Sequence, residues 1–203
     1  MSYTHRRRPD AGVTSVTPPV VAYSILTLFS PASPDKIDGL PNIQTATAFW
    51  SEVAGEITHL RFFQNTNPAG DETLLLFRID GNPNADTRTF LGNVTAAAGT
   101  TVAGAFNDLE LAAPIAIVAN QLYKVSRYNS AGRYVFTGGV WVAEVVSGPL
   151  HGAADGSNPT GAGSVNNGTF EQPGAPPDGS VYPPNPHTGG SSCYFADVVF
   201  VPS

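Results

Sequence analysis

Four histidines, sixteen acidic residues and one cysteine are the groups in this chain that could move protons, hold a metal or attack a substrate. The histidines, His5, His59, His151 and His187, are scattered, and no spacing brings two of them to one metal ion. Cys193 stands alone, so neither an intrachain disulfide nor a cysteine metal site can form. The stretch "SPDKIDGLP" offers Asp35 and Asp38 as oxygen donors of the kind calcium takes. It departs from the twelve-residue calcium loop and reads better as a turn. There is no G-x-S-x-G elbow, no H-E-x-x-H, no phosphate loop and no G-x-G-x-x-G after a strand. Strands can bring distant carboxylates together for glycoside hydrolysis, but most acids here sit in turn signals. A non-enzymatic protein without metal or cofactor is the expectation, with a hydrolase the weakest alternative.

One acid breaks the pattern. Asp197 interrupts the apolar run "YFADVVFV" and is expected to face solvent, sharing its side with Phe195 and Val199, or to pair with Arg61. Aromatic rings beside glycine-rich loops suit sugar binding, because a ring stacks on the apolar face of a pyranose while nearby amides bind its hydroxyls. Trp141, Tyr128, Tyr134, Phe170, Tyr182 and Tyr194 qualify, and each equally suits a hydrophobic core. The contact set expected from them is Trp141, Phe170 and Tyr182, joined by His187. Tyr182, in "DGSVYPPNPH", is the one expected to be most exposed. The sequons at Asn93 and Asn167 read as chance occurrences.

Such residues need elements to position them. Eleven Phe, seven Tyr and two Trp are enough to fill a core, which argues against disorder, and helical periodicity is nearly absent. Short β-branched or aromatic runs recur instead, at 22–29, 45–50, 56–64, 74–79, 87–94, 106–118 (broken near Pro114), 122–127, 133–137, 141–145 and 194–201. Along 56–64, Thr58, Leu60 and Phe62 are expected on one face, with His59 and Arg61 on the other. The intervening "NTNPAGDE", "DGNPNADT" and "YNSAGRY" carry turn chemistry. An all-β, antiparallel β-sandwich or jelly-roll-like fold follows.

Residues 1–20 lack any period and end in a Pro-Pro pair, so they read as an extended N-terminal arm that docks on a neighbour. Arg6, Arg7 and Arg8 are its candidate anchoring residues. Residues 21–203 then form one sandwich. Within it, 147–193 is a long glycine- and proline-rich loop, because ten residues after it are too few for a second domain. A net charge of −6 argues against nucleic acid as the main partner. No apolar run reaches 18 residues, which excludes a membrane-spanning helix, and the N-terminus does not resemble a secretory signal.

The order of "LFSP" (28–31), "EITHLRFFQ" (56–64), "PIAIVANQLYKVSRYNSAGRYV" (114–135), "GPL" (148–150), "NNGTF" (166–170) and "YFADVVF" (194–200) resembles the DUF4082 family. That resemblance implies a β-sandwich found in bacterial surface proteins and in minor tail proteins of actinobacterial phages, with no catalytic residues to transfer. It makes a bacteriophage virion structural protein the leading expectation: a minor tail, fibre or capsid-decorating subunit, assembled in the host and released by lysis. Its expected partners are neighbouring virion proteins held through the arm, further copies of itself in a homo-oligomer, and a cell-wall glycan. The alternative is a carbohydrate-binding module of a bacterial cell-surface protein.

Overall fold

Runs of β-branched and aromatic residues become the strands of two stacked antiparallel sheets. The structure, a computed structural model, describes residues 20–28, 36–39, 42–64, 70–83, 87–172, 178–180, 183, 185–186 and 191–203. The strands are β1 (Lys36–Gly39), β2 (Ile43–Ser51), β3 (Gly55–Phe63), β4 (Glu72–Ile79), β5 (Arg88–Ala96), β6 (Phe106–Ile117) and β7 (Tyr123–Asn129). They continue with β8 (Arg133–Phe136), β9 (Val145–Ser147), β10 (Leu150–Gly152), β11 (Thr169–Glu171), β12 (Asn185–Pro186) and β13 (Ala196–Pro202). The larger sheet is ordered β12-β11-β2-β7-β4-β5, with β10 further along the edge of β2 that also carries β11, and β9 beyond it. The smaller is β13-β3-β6, and β1 with β8 forms a separate ribbon. No helix among the described residues is long and apolar enough to cross a membrane.

Between the sheets lies the main core. Phe49, Leu74, Leu76, Tyr123 and Val125 of the larger sheet meet Ile57, Leu60, Phe62, Val198 and Phe200 of the smaller. Removing this apolar surface from water is the main force holding the layers together.

Besides 141–145, where Val140–Val142 winds into a 3-10 turn and the strand begins only at Val145, three segments differ from what their sequence suggests. The described part of the expected strand 22–29, residues 22–28, does not form one: Tyr23 makes one two-way backbone bridge with Phe200, and Ile25–Leu28 winds into a 3-10 turn. The reason is burial, since Ile25 and Leu26 are adjacent and both fully enclosed, whereas a strand would send one of them outward. Asp197 holds that turn. Its carboxylate accepts the N–H groups of Ile25 (3.1 Å) and Leu26 (2.9 Å), so it is fully buried and not solvent-facing. Burial pushes its pKa up to about 6, against the opposing pull of those N–H groups and of Arg61, its register partner on β3.

Strand β6 runs unbroken through Pro114. His59 pairs with Glu110 but Ile57 pairs with Ile115, so residues 111–114 stand opposite Thr58 alone in an irregular bulge, where a missing proline N–H costs no ladder bond. The slip reverses the inward set on β3. Ile57 is buried, and Thr58 is only half-buried rather than a companion of Leu60 and Phe62.

The third segment is 147–193, which is not one long loop. Parts of it pair with the sheet as β10 and β11, and part lies across the sheet's outer face. There Ala153 and Val165 join Ala48, Leu75, Phe77, Ile79, Leu122 and Tyr128 in a second buried cluster. Asn167 bridges the gap that β10 and β11 leave along β2. Its Oδ1 accepts from Ala48 N (2.8 Å), while its Nδ2 donates to the carbonyls of Ala48 (3.0 Å) and Ala153 (2.6 Å). The "GPL" and "NNGTF" stretches owe their glycines to the same packing. Gly148 and Gly168 have φ of 57° and 68°, and a Cβ would strike the Tyr23 ring and the Ser192 carbonyl respectively.

Candidate functional site

At the far end of β2 the outward face carries a compact polar and aromatic group. Phe49 and Trp50 are consecutive on a strand, so when Phe49 enters the core Trp50 must turn away from it. Trp50 is the register partner of His151 on β10, which is in turn the partner of Val146 on β9. Partners across an antiparallel pair share a face, so the three form a row. The indole of Trp50 stacks on the His151 imidazole with centroids 4.1 Å apart and planes 21° from parallel. The indole is half-buried, whereas His151 is only 6% exposed.

Two carboxylates bracket the imidazole. Glu52 Oε1 lies 3.3 Å from Nε2, and Glu144 Oε2 lies 3.3 Å from Nδ1. Neither contact is aligned as a hydrogen bond. Glu144 also accepts the Trp50 indole N–H on Oε1 at 3.1 Å, which fixes the orientation of the ring. Local structure delivers both acids. Glu52 N donates to Pro149 O, tying the end of β2 to the turn before β10. Glu144 follows the 3-10 turn Val140–Val142, whose Trp141 is sunk in the main core, and the extended Ala143. Val142 and Val146, two residues before and after Glu144, are exposed.

The expected contact residues fall elsewhere. Trp141 is fully buried, which corrects its assignment as a surface contact: it anchors the chain that presents Glu144. Phe170 is half-buried and packs on the cluster of Ile43, Tyr134, Phe136 and Tyr194. Tyr128 donates its hydroxyl to Asn42 on the outer face. Tyr182, His187, Asp35 and the arm residues Arg6, Arg7 and Arg8 lie outside the described residues. Among the described residues no group of three His, Cys, Asp or Glu is disposed to hold a metal. Burial pushes the Cys193 thiol well above its ordinary pKa, so this residue is a core packing group and not a nucleophile.

Sequence reasoning missed Trp50, Glu52, Glu144 and His151 as a set. The one legible signal was the Phe49-Trp50 doublet, since period-two alternation cannot bury both rings in the same core. What joins His151 to Trp50 is a pairing across about a hundred residues, which spacing alone does not reveal.

The arrangement offers aromatic ring surface beside carboxylate acceptors on an open sheet end, suited to holding a ligand by stacking and hydrogen bonding. Residues 33–184 match the family model described as "Domain of unknown function (DUF4082)". The match includes the whole Trp50–His151 group and leaves out the first 3-10 turn and β13. No curated protein and no solved structure matches the chain. With well over half of its length matched, the chain belongs to the DUF4082 family.

Proposed function

We propose that the chain is a non-catalytic structural module of a bacteriophage virion, and that it touches host-surface carbohydrate through the Trp50–His151 platform. The observation that carries the contact reading is the half-exposed indole, stacked on a buried imidazole and pinned by Glu144. A ring already fixed on one side loses little entropy when a sugar stacks on what remains of its surface. Glu52 and Glu144 supply acceptors for sugar hydroxyls at its edge. The virion setting rests on the chain's resemblance to a family that occurs in minor tail proteins of actinobacterial phages; the same family's occurrence in bacterial surface proteins is what keeps the alternative open.

Two measurements test the two halves separately. Retention of the whole chain on purified host cell-wall polysaccharide should fall roughly tenfold or more in Trp50→Ala, the loss of one aromatic stack. Unchanged retention in a variant with the wild-type unfolding midpoint would remove the platform from the reading. The chain should also be found in purified particles by mass spectrometry. Its absence from them would favour a carbohydrate-binding module of a cell-surface protein instead.

A further inference from the structure

We infer that the platform selects a cationic sugar: a hexosamine unit whose amine is free rather than acylated. This rests on the glycan-contact reading and adds the charge of the ligand to it. Glu52 and Glu144 are two carboxylates facing at most one positive charge, on His151, so the cluster is net negative in either protonation state of the ring. Among the described residues neither acid pairs with an arginine or lysine. The charge therefore stays uncompensated at the surface, beside the electron-rich face of an indole. Carboxylate together with aromatic face is the combination that recognises an ammonium group, through Coulomb attraction and cation–π contact.

His151 provides an independent sign that the site is built to receive something. Its side chain is 8% exposed, yet neither ring nitrogen has an aligned hydrogen-bond partner. Buried polar atoms are normally satisfied, and here each nitrogen has a carboxylate 3.3 Å away that does not complete a hydrogen bond, which leaves those acids able to turn to a further group. Glu52 can complete it differently when a ligand arrives. Its side chain is 60% exposed, its ion-pair contact among the described residues is the His151 edge, and a small rotation would let it meet an incoming ammonium. Glu144, by contrast, is held on both oxygens by Trp50 and His151 and acts as the fixed wall.

The experiment compares glucosamine oligomers with N-acetylglucosamine oligomers of equal length, binding to the full chain and followed by tryptophan fluorescence and calorimetry at low and high salt. The free-amine oligomer should bind about tenfold more tightly, the preference should shrink in high salt, and Glu52→Gln should remove most of it. Circular dichroism on Glu52→Gln, an exposed substitution, checks that the fold is intact. Equal binding of the two oligomers, or preference for the acetylated one, overturns the charge inference and leaves the glycan reading standing. Binding of neither oligomer, with undiminished retention of Trp50→Ala on cell-wall polysaccharide, overturns both.

Discussion

Arg127 and Lys124 lie three residues apart on β7, are both buried, and face opposite sides of one sheet. Arg127 points between the sheets. Its Nε and Nη2 donate to the two oxygens of Glu72 at 2.9 and 2.7 Å, its Nη1 donates to Phe63 O, and its guanidinium lies 4.7 Å over the Phe62 ring. Asn129 adds a further bond to Glu72. Lys124 points outward, under the chain that returns through β11, with Nζ 3.3 Å from the Thr169 hydroxyl. Burial pushes its pKa down to about 7. The two faces thus handle a buried cation in different ways. Inside, a planar guanidinium is matched by a bidentate carboxylate. Outside, beneath a covering segment, burial weakens the hold of an amine on its proton, and its Nζ lies beside the Thr169 hydroxyl.

That contrast can be broken most severely on the inner side. Glu72→Ala leaves the guanidinium of Arg127 without its counter-charge, and should cost about 3–5 kcal/mol in urea unfolding. A loss under 1 kcal/mol would mean that the pair is not what holds this end of the core. The outer side depends on the covering segment. Asn167→Ala frees backbone groups of Ala48 and Ala153 that it now satisfies, and should cost about 2–3 kcal/mol. Amide exchange should rise selectively across 153–169, and uniform protection there would refute the bridging role.

The smallest effect sharpens the comparison by pH. Lys124 has a folded-state pKa below its ordinary value, so the folded chain binds that proton less well than the unfolded chain. Stability should therefore climb as pH rises from about 7 towards the ordinary lysine range. Lys124→Met should be about 1 kcal/mol more stable than wild type at pH 7 and should lack that climb. Parallel stability curves for the two proteins between pH 7 and 9 would show that the amine keeps its proton.

Legibility varied along the chain with how local the deciding interaction was. Strands such as β2, β4 and β7 were visible because β-branched and aromatic residues cluster where turns begin and end. The 3-10 turns at Ile25–Leu28 and Val140–Val142 were not, because apolar residues read alike in a strand and in a short plug. Asp197 looked exposed for a related reason. Alternation assigns a side to a residue but cannot foresee that backbone N–H groups 171 and 172 residues away will come to its carboxylate. The covering role of Ala153, Val165 and Asn167 was hidden by the polar composition around them, in which few side chains announce that they will be buried.

The amino-acid sequence on its own determined the class of the molecule: short alternating runs and turn residues permit an antiparallel sandwich and little else, and the DUF4082 segments between 33 and 184 could be picked out in order. Only the tertiary structure decided which polar groups became partners. Trp50 and His151 meet because β10 pairs with β2, and Glu52 and Glu144 reach the same ring because a tied turn and a buried Trp141 hold their backbones in place. Periodicity is a property of neighbours along the chain. A binding platform is a property of strands that become neighbours only after the chain has folded, when register sets which side chains share a face.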